Sequence, residues 1–407
     1  MKKLWILGIM ACLGFTVPVF AEGDEPLISG EYMYSVLEDG TIEIKQYLGQ
    51  DEEVEIPTEL DGYVVTSIGV DAFAAKNNII SIELPEGITS VNELAFEGCD
   101  NLERISFPES ISFVGSNPMA GCGDVDLQVS FDHQYLEVIE GALYSKPDKR
   151  LIYCPTTVES YVFPEDIASI GGYAFFDCYK LKSITLSNDI SAIGDNPFAS
   201  CGEVEIKVAP DHPYLAMIDG VLFSKSDKRL VYCPPTKESY VVPEGIEYIG
   251  KGAFYNCEYL TDITIPDTVT SIGDSAFSNC RYLENIVLPD SVKDIGNSAF
   301  AFCESLTSIV IPEGVPCIRW ATFIACSSLS SVTLPNSITS IGYNAFYGCE
   351  SLTSINLPES INSIGYWAFE GCKNLTIIVS HDSYTEKYCK KEGLDYTFPD
   401  ANDWLTS

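Results

Sequence analysis

The 407-residue chain is poor in the residue types that most enzyme chemistry relies on. It has three histidines, which leaves little material for imidazole catalysis. It contains no Cys-x-x-Cys and no closely spaced histidine pair, so the ligand spacings of zinc sites are missing. Basic residues number 23 against 59 acidic ones, giving a formal net charge of −36. That shortage of cations excludes a general phosphate-binding face, and with it nucleic acid as a partner. It also argues against docking on anionic lipid. After Phe20 no run is long and apolar enough to cross a bilayer as a helix. What remains is 46% hydrophobic and 12% aromatic, enough to bury a core and to exclude global disorder.

Lys2 and Lys3 precede an apolar run from Leu4 to Phe20, broken by Gly8, Gly14 and Pro18. Val19-Phe20-Ala21 then puts small residues before a cleavage point, so residues 1–21 read as a secretory signal peptide. A membrane anchor is disfavoured because the run is short and acids follow it. A lipoprotein signal at Cys12 is disfavoured because apolar residues continue past it. The end, Asp403-Trp404-Leu405-Thr406-Ser407, has no hydrophobic tail, and no Leu-Pro pair continues into a wall-sorting signal. The expectation is an exported protein, secreted or at the cell surface, not inserted in the membrane after cleavage.

The dominant feature is a repeat. Aligned on Ala-Phe, a column runs Phe73, Phe96, Met119, Phe175, Phe198, Phe254, Phe277, Phe300, Phe323, Phe346 and Phe369, with a step of 23 in each uninterrupted block. Cysteine recurs three residues later, as in Cys257, Cys280, Cys303, Cys326, Cys349 and Cys372. Isoleucine or valine recurs five residues before the column, and proline eleven before it in most units. Leu-x-x-Ile-x-Leu/Ile alternates at period two and predicts a short strand with one buried face. Proline ends it. Ile-Gly predicts a second extended piece, with glycine placed for a tight turn. Ala-Phe-x-x-Cys predicts one inward-facing turn of α- or 3₁₀-helix. One unit cannot bury its own apolar face, but stacked neighbours can, which makes a solenoid.

Two matching 33-residue insertions interrupt the early units. One contains Ile139-Glu140-Gly141-Ala142 and ends at Tyr153-Cys154-Pro155; the other contains Ile218-Asp219-Gly220-Val221 and ends at Tyr232-Cys233-Pro234. Glu140-Gly141 and Asp219-Gly220 are hairpin turn signals, so each insertion is expected to protrude as two or three strands. Tyr32 to Leu48 alternates around Glu38-Asp39-Gly40 and reads as a capping hairpin. Ser383-Tyr-Thr-Glu386 is a capping box opening a helix that Gly393 closes. The expected order is a signal peptide over 1–21, a cap over 22–53, the solenoid over 54–377 and a cap helix with tail over 378–407. The insertions fall at about 124–161 and 203–240.

The unit Leu-x-x-Ile-x-Leu-Pro-x-x-Ile-x-x-Ile-Gly-x-x-Ala-Phe-x-x-Cys resembles the BspA-like leucine-rich repeat of bacterial surface and secreted proteins. The insertion Ile-Asp-Gly-Val-Leu-Phe-Ser-Lys and the terminal Ser-Tyr-Thr-Glu-Lys-Tyr segment are similar to that family as well. The resemblance spans about Tyr32 to Phe398. It implies a leucine-rich-repeat solenoid, β-rich α/β in class and wound as a right-handed superhelix. It further implies export and a role in adhesion or protein binding, with no catalytic residues to carry over.

The cysteine column could form disulfides, but stacked equivalent residues point side by side, so buried free thiols are expected. His133 with Cys154, and His212 with Cys233, are the pairings to weigh for nucleophilic catalysis. A turn histidine and a packed cysteine explain them more simply. Asp51, Glu52 and Glu53 read as a solvated turn. Lys146, Lys149 and Arg150, and their counterparts Lys225, Lys228 and Arg229, form basic tips on an acidic background. They could dock an acidic partner or serve as ordinary charged turns.

No catalytic, metal or cofactor residues are assigned. The expected function is non-enzymatic binding of a protein or glycan partner by a monomer. A secreted hydrolase and a passive envelope protein stand as alternatives. Two surfaces are candidates. The residues flanking the strand's central Ile face outward on the concave sheet, where Val287 and Val310 make an apolar spot. The column after Ile-Gly turns aromatic in the last rungs, as Trp320, Tyr343 and Tyr366 with Trp367 alongside, and predicts one exposed stacked strip.

Overall fold

A computed structural model describes residues 27–164 and 166–399; the signal peptide expected over 1–21 and the end of the tail expected over 378–407 lie outside them. The chain divides into two compact units, Met1–His212 and Pro213–Ser407. Both are built from stacked rungs of the repeat.

A rung carries two short strands on opposite sides of a thin core. In the second unit one strand is Asp262–Thr264, where Ile263 is buried between two exposed residues. Its register steps by one repeat, pairing Tyr240 with Ile263 in parallel, and farther along Ile309 with Val332. The other strand is the Ile-Gly piece, with Ile249, Ile272 and Ile295 paired in succession. Between them runs the phenylalanine column. Phe277 and Phe300 stack with centroids 5.4 Å apart and planes 2° off parallel, and Phe300 and Phe323 follow at 5.5 Å and 4°. In the first unit Tyr47 stacks on Phe73 at 5.1 Å, and Phe175 on Phe198 at 5.3 Å.

The Ala-Phe-x-x-Cys segment is not a helical turn. Along the repeats the phenylalanine N–H points out of its own rung, as Phe277 N donates to Ala299 O at 2.8 Å and Phe300 N to Thr322 O at 2.9 Å. Residues two before and two after the phenylalanine are left-handed: Ser275 and Asn279, Ser298 and Phe302, Ala321 and Ala325 all lie at φ between 51° and 61°. These reversals turn alternate peptide groups along the stack, so cross-rung bonds alternate with short turn bonds within the rung, such as Ser278 N to Ser275 O at 3.0 Å and Cys280 N to Phe277 O at 3.1 Å. The Ile-Gly glycine has a different job from the turn expected of it. Gly273 is not among the positive-φ residues, but a Cβ there would sit 2.6 Å from Lys251 N on the rung before. Glycine is needed because two backbones approach closely.

The insertions do not stand away from the rungs. In the first unit Leu136–Ile139 and Ala142–Ser145 form the expected hairpin, with Glu140 and Gly141 at φ 50° and 81°. Arg150–Tyr153 then pairs antiparallel with the hairpin on one side and parallel with Ser169–Ile170 on the other. Cys154 N donates to Ala174 O at 2.8 Å, the bond that phenylalanine makes elsewhere. The insertion is thus a rung in its own right, and Leu143, Leu151, Ile152 and Tyr153 are buried in it. The second unit repeats this with Cys233 N and Ala253 O at 2.8 Å. The N-terminal hairpin is a third copy. Tyr32–Val36 and Ile42–Tyr47 pair with a register shift at the same place, Ile44 meets Ile68 in parallel, and Tyr47 N donates to Ala72 O at 2.7 Å.

At the C-terminal end the helix Tyr384–Glu392 begins at Ser383, whose hydroxyl accepts from Glu386 N at 3.1 Å, and ends at Gly393 with φ 70°. Its buried Cys389 closes the apolar column, and Tyr396–Thr397 adds one more parallel strand.

Candidate functional site

The cysteine column is a ladder of thiols, with no disulfide among the described residues. Most Sγ–H groups donate to the phenylalanine carbonyl of the rung before, as Cys280 to Phe254 O at 3.2 Å, Cys303 to Phe277 O at 3.2 Å and Cys326 to Phe300 O at 3.1 Å; after the inserted rungs Cys178 and Cys257 turn instead to carbonyls of Cys154–Pro155 and Cys233–Pro234. Burial pushes the Cys280, Cys303 and Cys326 thiols well above their ordinary range, so they are poor nucleophiles.

The two insertion histidines are structural. His133 is fully buried; its Nδ1 accepts from Tyr135 N at 3.0 Å and Leu136 N at 3.1 Å, and its Nε2 lies 3.0 Å from Pro108 O. A ring with both nitrogens committed cannot serve Cys154 as a base. Burial also raises the Cys154 thiol far above its usual range. His212 repeats the contact, with Nε2 2.8 Å from Ser187 O.

The basic tips are internally partnered. Lys146 Nζ donates to His133 O at 2.7 Å, Arg150 to Val114 O at 2.7 Å, Lys228 pairs with Glu247, and Arg229 with Asp227 at 3.0 Å. Lys146 and Arg150 satisfy backbone carbonyls, and Lys228 and Arg229 neutralise local acids. Among the described residues no group of three or more His, Cys, Asp or Glu could hold a metal ion.

The outer strand face of the second unit is open. Val287 is 80% and Val310 62% exposed, and Val241 shares their column. Ser308, Ser331 and Ser354 line the parallel column. Near Val241 an open pocket of about 460 Å³ is lined by Asp219, Lys237, Ser239, Tyr240 and Asp262.

The aromatic column is brought together only in part. Tyr343 and Tyr366 are 52% and 54% exposed, with centroids 5.9 Å apart, and Trp367 follows 6.1 Å from Tyr366. Trp320 leaves the row. It packs, half-buried, in a small satellite cluster with Ala301, Ala321, Ile324, Ala325 and Tyr347. The alanines make room for the indole there, so the expected exposed four-ring strip reduces to the pair Tyr343 and Tyr366 with the partly buried Trp367 at its edge. A second aromatic pair, Tyr259 and Tyr282, is exposed with rings 6.4 Å apart. It was legible as one more column at the repeat step, two residues beyond Cys257 and Cys280.

The repeat geometry has a match in sequence. The BspA type leucine rich repeat region, in six copies, matches residues 55–146, 147–230, 228–332 and 318–389. The chain belongs to this family. Among solved structures, this BspA-type chain is similar to a leucine-rich repeat protein from Eubacterium ventriosum, at 21% identity over 84% of this chain and 93% of that one, with a TM-score of 0.48. A leucine rich cell surface protein from Faecalibacterium prausnitzii is 23% identical over 90% and 97% of the two chains, with a TM-score of 0.42. The pneumococcal vaccine antigen PcpA is 18% identical over 93% and 99%, with a TM-score of 0.38. No curated protein matches the chain in sequence.

Proposed function

We propose that this is an exported, non-enzymatic binding protein that engages a protein or glycan partner in adhesion or another cell-surface interaction. The observation that carries the reading is the exposed pair Tyr343 and Tyr366, with the partly buried Trp367 beside them. Earlier rungs place Lys251, Asp274 and Asn297 in the tyrosine column, so the two tyrosines depart from what the fold requires. Contiguous exposed aromatics are a costly surface for a soluble protein and are enriched at interfaces. Export rests on the sequence of residues 1–21. Against a hydrolase stands the commitment of His133 to backbone groups and of the column thiols to carbonyls.

The test is a binding panel of host proteins and glycans with the mature chain. Tyr343→Ala with Tyr366→Ala is expected to weaken whatever binding is found. Binding kept in that variant but lost on Val287→Asp with Val310→Asp moves the site to the strand face.

A further inference from the structure

We infer that the partner of the aromatic row is a neutral polysaccharide, a reading that rests on the row being the binding surface proposed above. Tyr343 and Tyr366, both about half exposed, set two ring faces 5.9 Å apart and tilted by 35°, and the partly buried Trp367 ring lies 6.1 Å from Tyr366, tilted by 51°. The face of an aromatic ring is apolar and carries the negative lobe of its quadrupole. It suits the C–H face of a pyranose, whose axial hydrogens are weakly positive. A row of such faces suits a chain of sugars better than a single one.

Charge narrows the class. The formal net charge is −36, and several cations of these last rungs are paired with acids: Arg319 with Asp294 at 2.7 Å, Lys391 with Glu392 at 3.0 Å and Lys373 with Glu350 at 2.8 Å. A uronic or sulfated glycan would meet repulsion from this acidic surface. A cationic partner would find carboxylates across much of the surface and little reason to prefer three uncharged rings.

At the end of the row Tyr384 is 40% exposed, and its hydroxyl oxygen accepts from Ile364 N at 3.3 Å. Its own O–H is left to donate outward.

The experiment is native-gel retardation of the full mature chain in gels cast with mixed-linkage β-glucan, xyloglucan or galactomannan, with polygalacturonate as the acidic control. At least one neutral polymer should retard the protein and polygalacturonate should not. Tyr343→Ala with Tyr366→Ala should weaken the retardation by on the order of tenfold or more, the loss of two ring contacts. Val287→Asp with Val310→Asp should leave it unchanged. The single change Tyr366→Ser, at a half-exposed position, serves if the double variant does not fold. Retardation by no neutral polymer, by polygalacturonate alone, or undiminished in the aromatic variants overturns the assignment. If the neutral polymers fail while a purified protein partner is lost from the aromatic variant, only the glycan assignment falls. If the strand-face variant alone loses binding, the aromatic row falls with it.

Discussion

Replacing Phe300 by leucine isolates what the stacked column contributes. The ring is fully buried and sandwiched between Phe277 at 5.4 Å and Phe323 at 5.5 Å, nearly parallel to both. An aromatic pair is worth about 0.5–1.5 kcal/mol beyond area burial, so losing two removes roughly 1–3 kcal/mol. The smaller side chain adds about 1 kcal/mol for imperfect filling. The expected cost is therefore about 2–4 kcal/mol. Phe369 offers the control, because its stacked neighbour is Phe346 at 5.6 Å on one side only. Phe369→Leu should cost less, by about the value of one pair, near 1 kcal/mol. A repeat array need not unfold in one step, so a single midpoint is a poor readout. Native-state hydrogen exchange at the Phe277 and Phe346 amides reads each loss where it occurs, since both bond across to the next rung. Equal losses for the two variants would refute stacking and leave the rings as volume fillers.

Further outcomes follow from other parts of the rung. All the cysteines of the mature chain should count as free thiols after unfolding without reductant, and most of them found paired would overturn the ladder. Cys280→Ser should cost about 1–2 kcal/mol by chemical denaturation, because a hydroxyl enters a dry core even with the Phe254 carbonyl within reach. Ala325→Gly should stabilise by up to about 1 kcal/mol, because Ala325 is held at φ 57° where the next two rungs carry Gly348 and Gly371; a loss of stability would contradict the strain argument. Burial, with Asp71 and Asp177 nearby, raises Glu97 to about 7, so the folded chain holds its proton longer than the unfolded one. Stability should thus fall as pH rises from about 4.5 to about 7. Glu97→Gln should flatten that fall in melting curves at pH 4 and pH 8; an unchanged slope would exclude the group as its source.

The rungs were legible because column identity repeats: a Phe, a Cys and an Ile held at one step can only mean equivalent places in a stack. What the repeat hid was the backbone. Left-handed residues such as Ser275, Phe302 and Ala321 carry no glycine to advertise them, while the glycines that do recur, such as Gly273, answer to close approach. The inserted rungs were misread as protrusions because Cys154 and Cys233 stand where a phenylalanine would have marked the column. The N-terminal copy escaped notice because only pairing register, Ile44 against Ile68, reveals it. The aromatic candidates were visible as a column, but which ring turns inward depends on small neighbours such as Ala301 and Ala325, a matter of local volume.

The cross-rung bond from each phenylalanine has a genetic consequence. Phe277 N reaches Ala299 O, and Phe300 N reaches Thr322 O, in the same geometry. Excising residues 281–303 would present Thr322 O to Phe277 N and the Phe323 ring to the Phe277 ring. Nothing would be left dangling, because both partners are already shaped for the join. Chain length in such a protein is therefore quantised. Recombination between sister repeats can lengthen or shorten the protein by whole rungs while every intermediate stays foldable, whereas a frame-preserving deletion of any other size breaks the ladder at its seam.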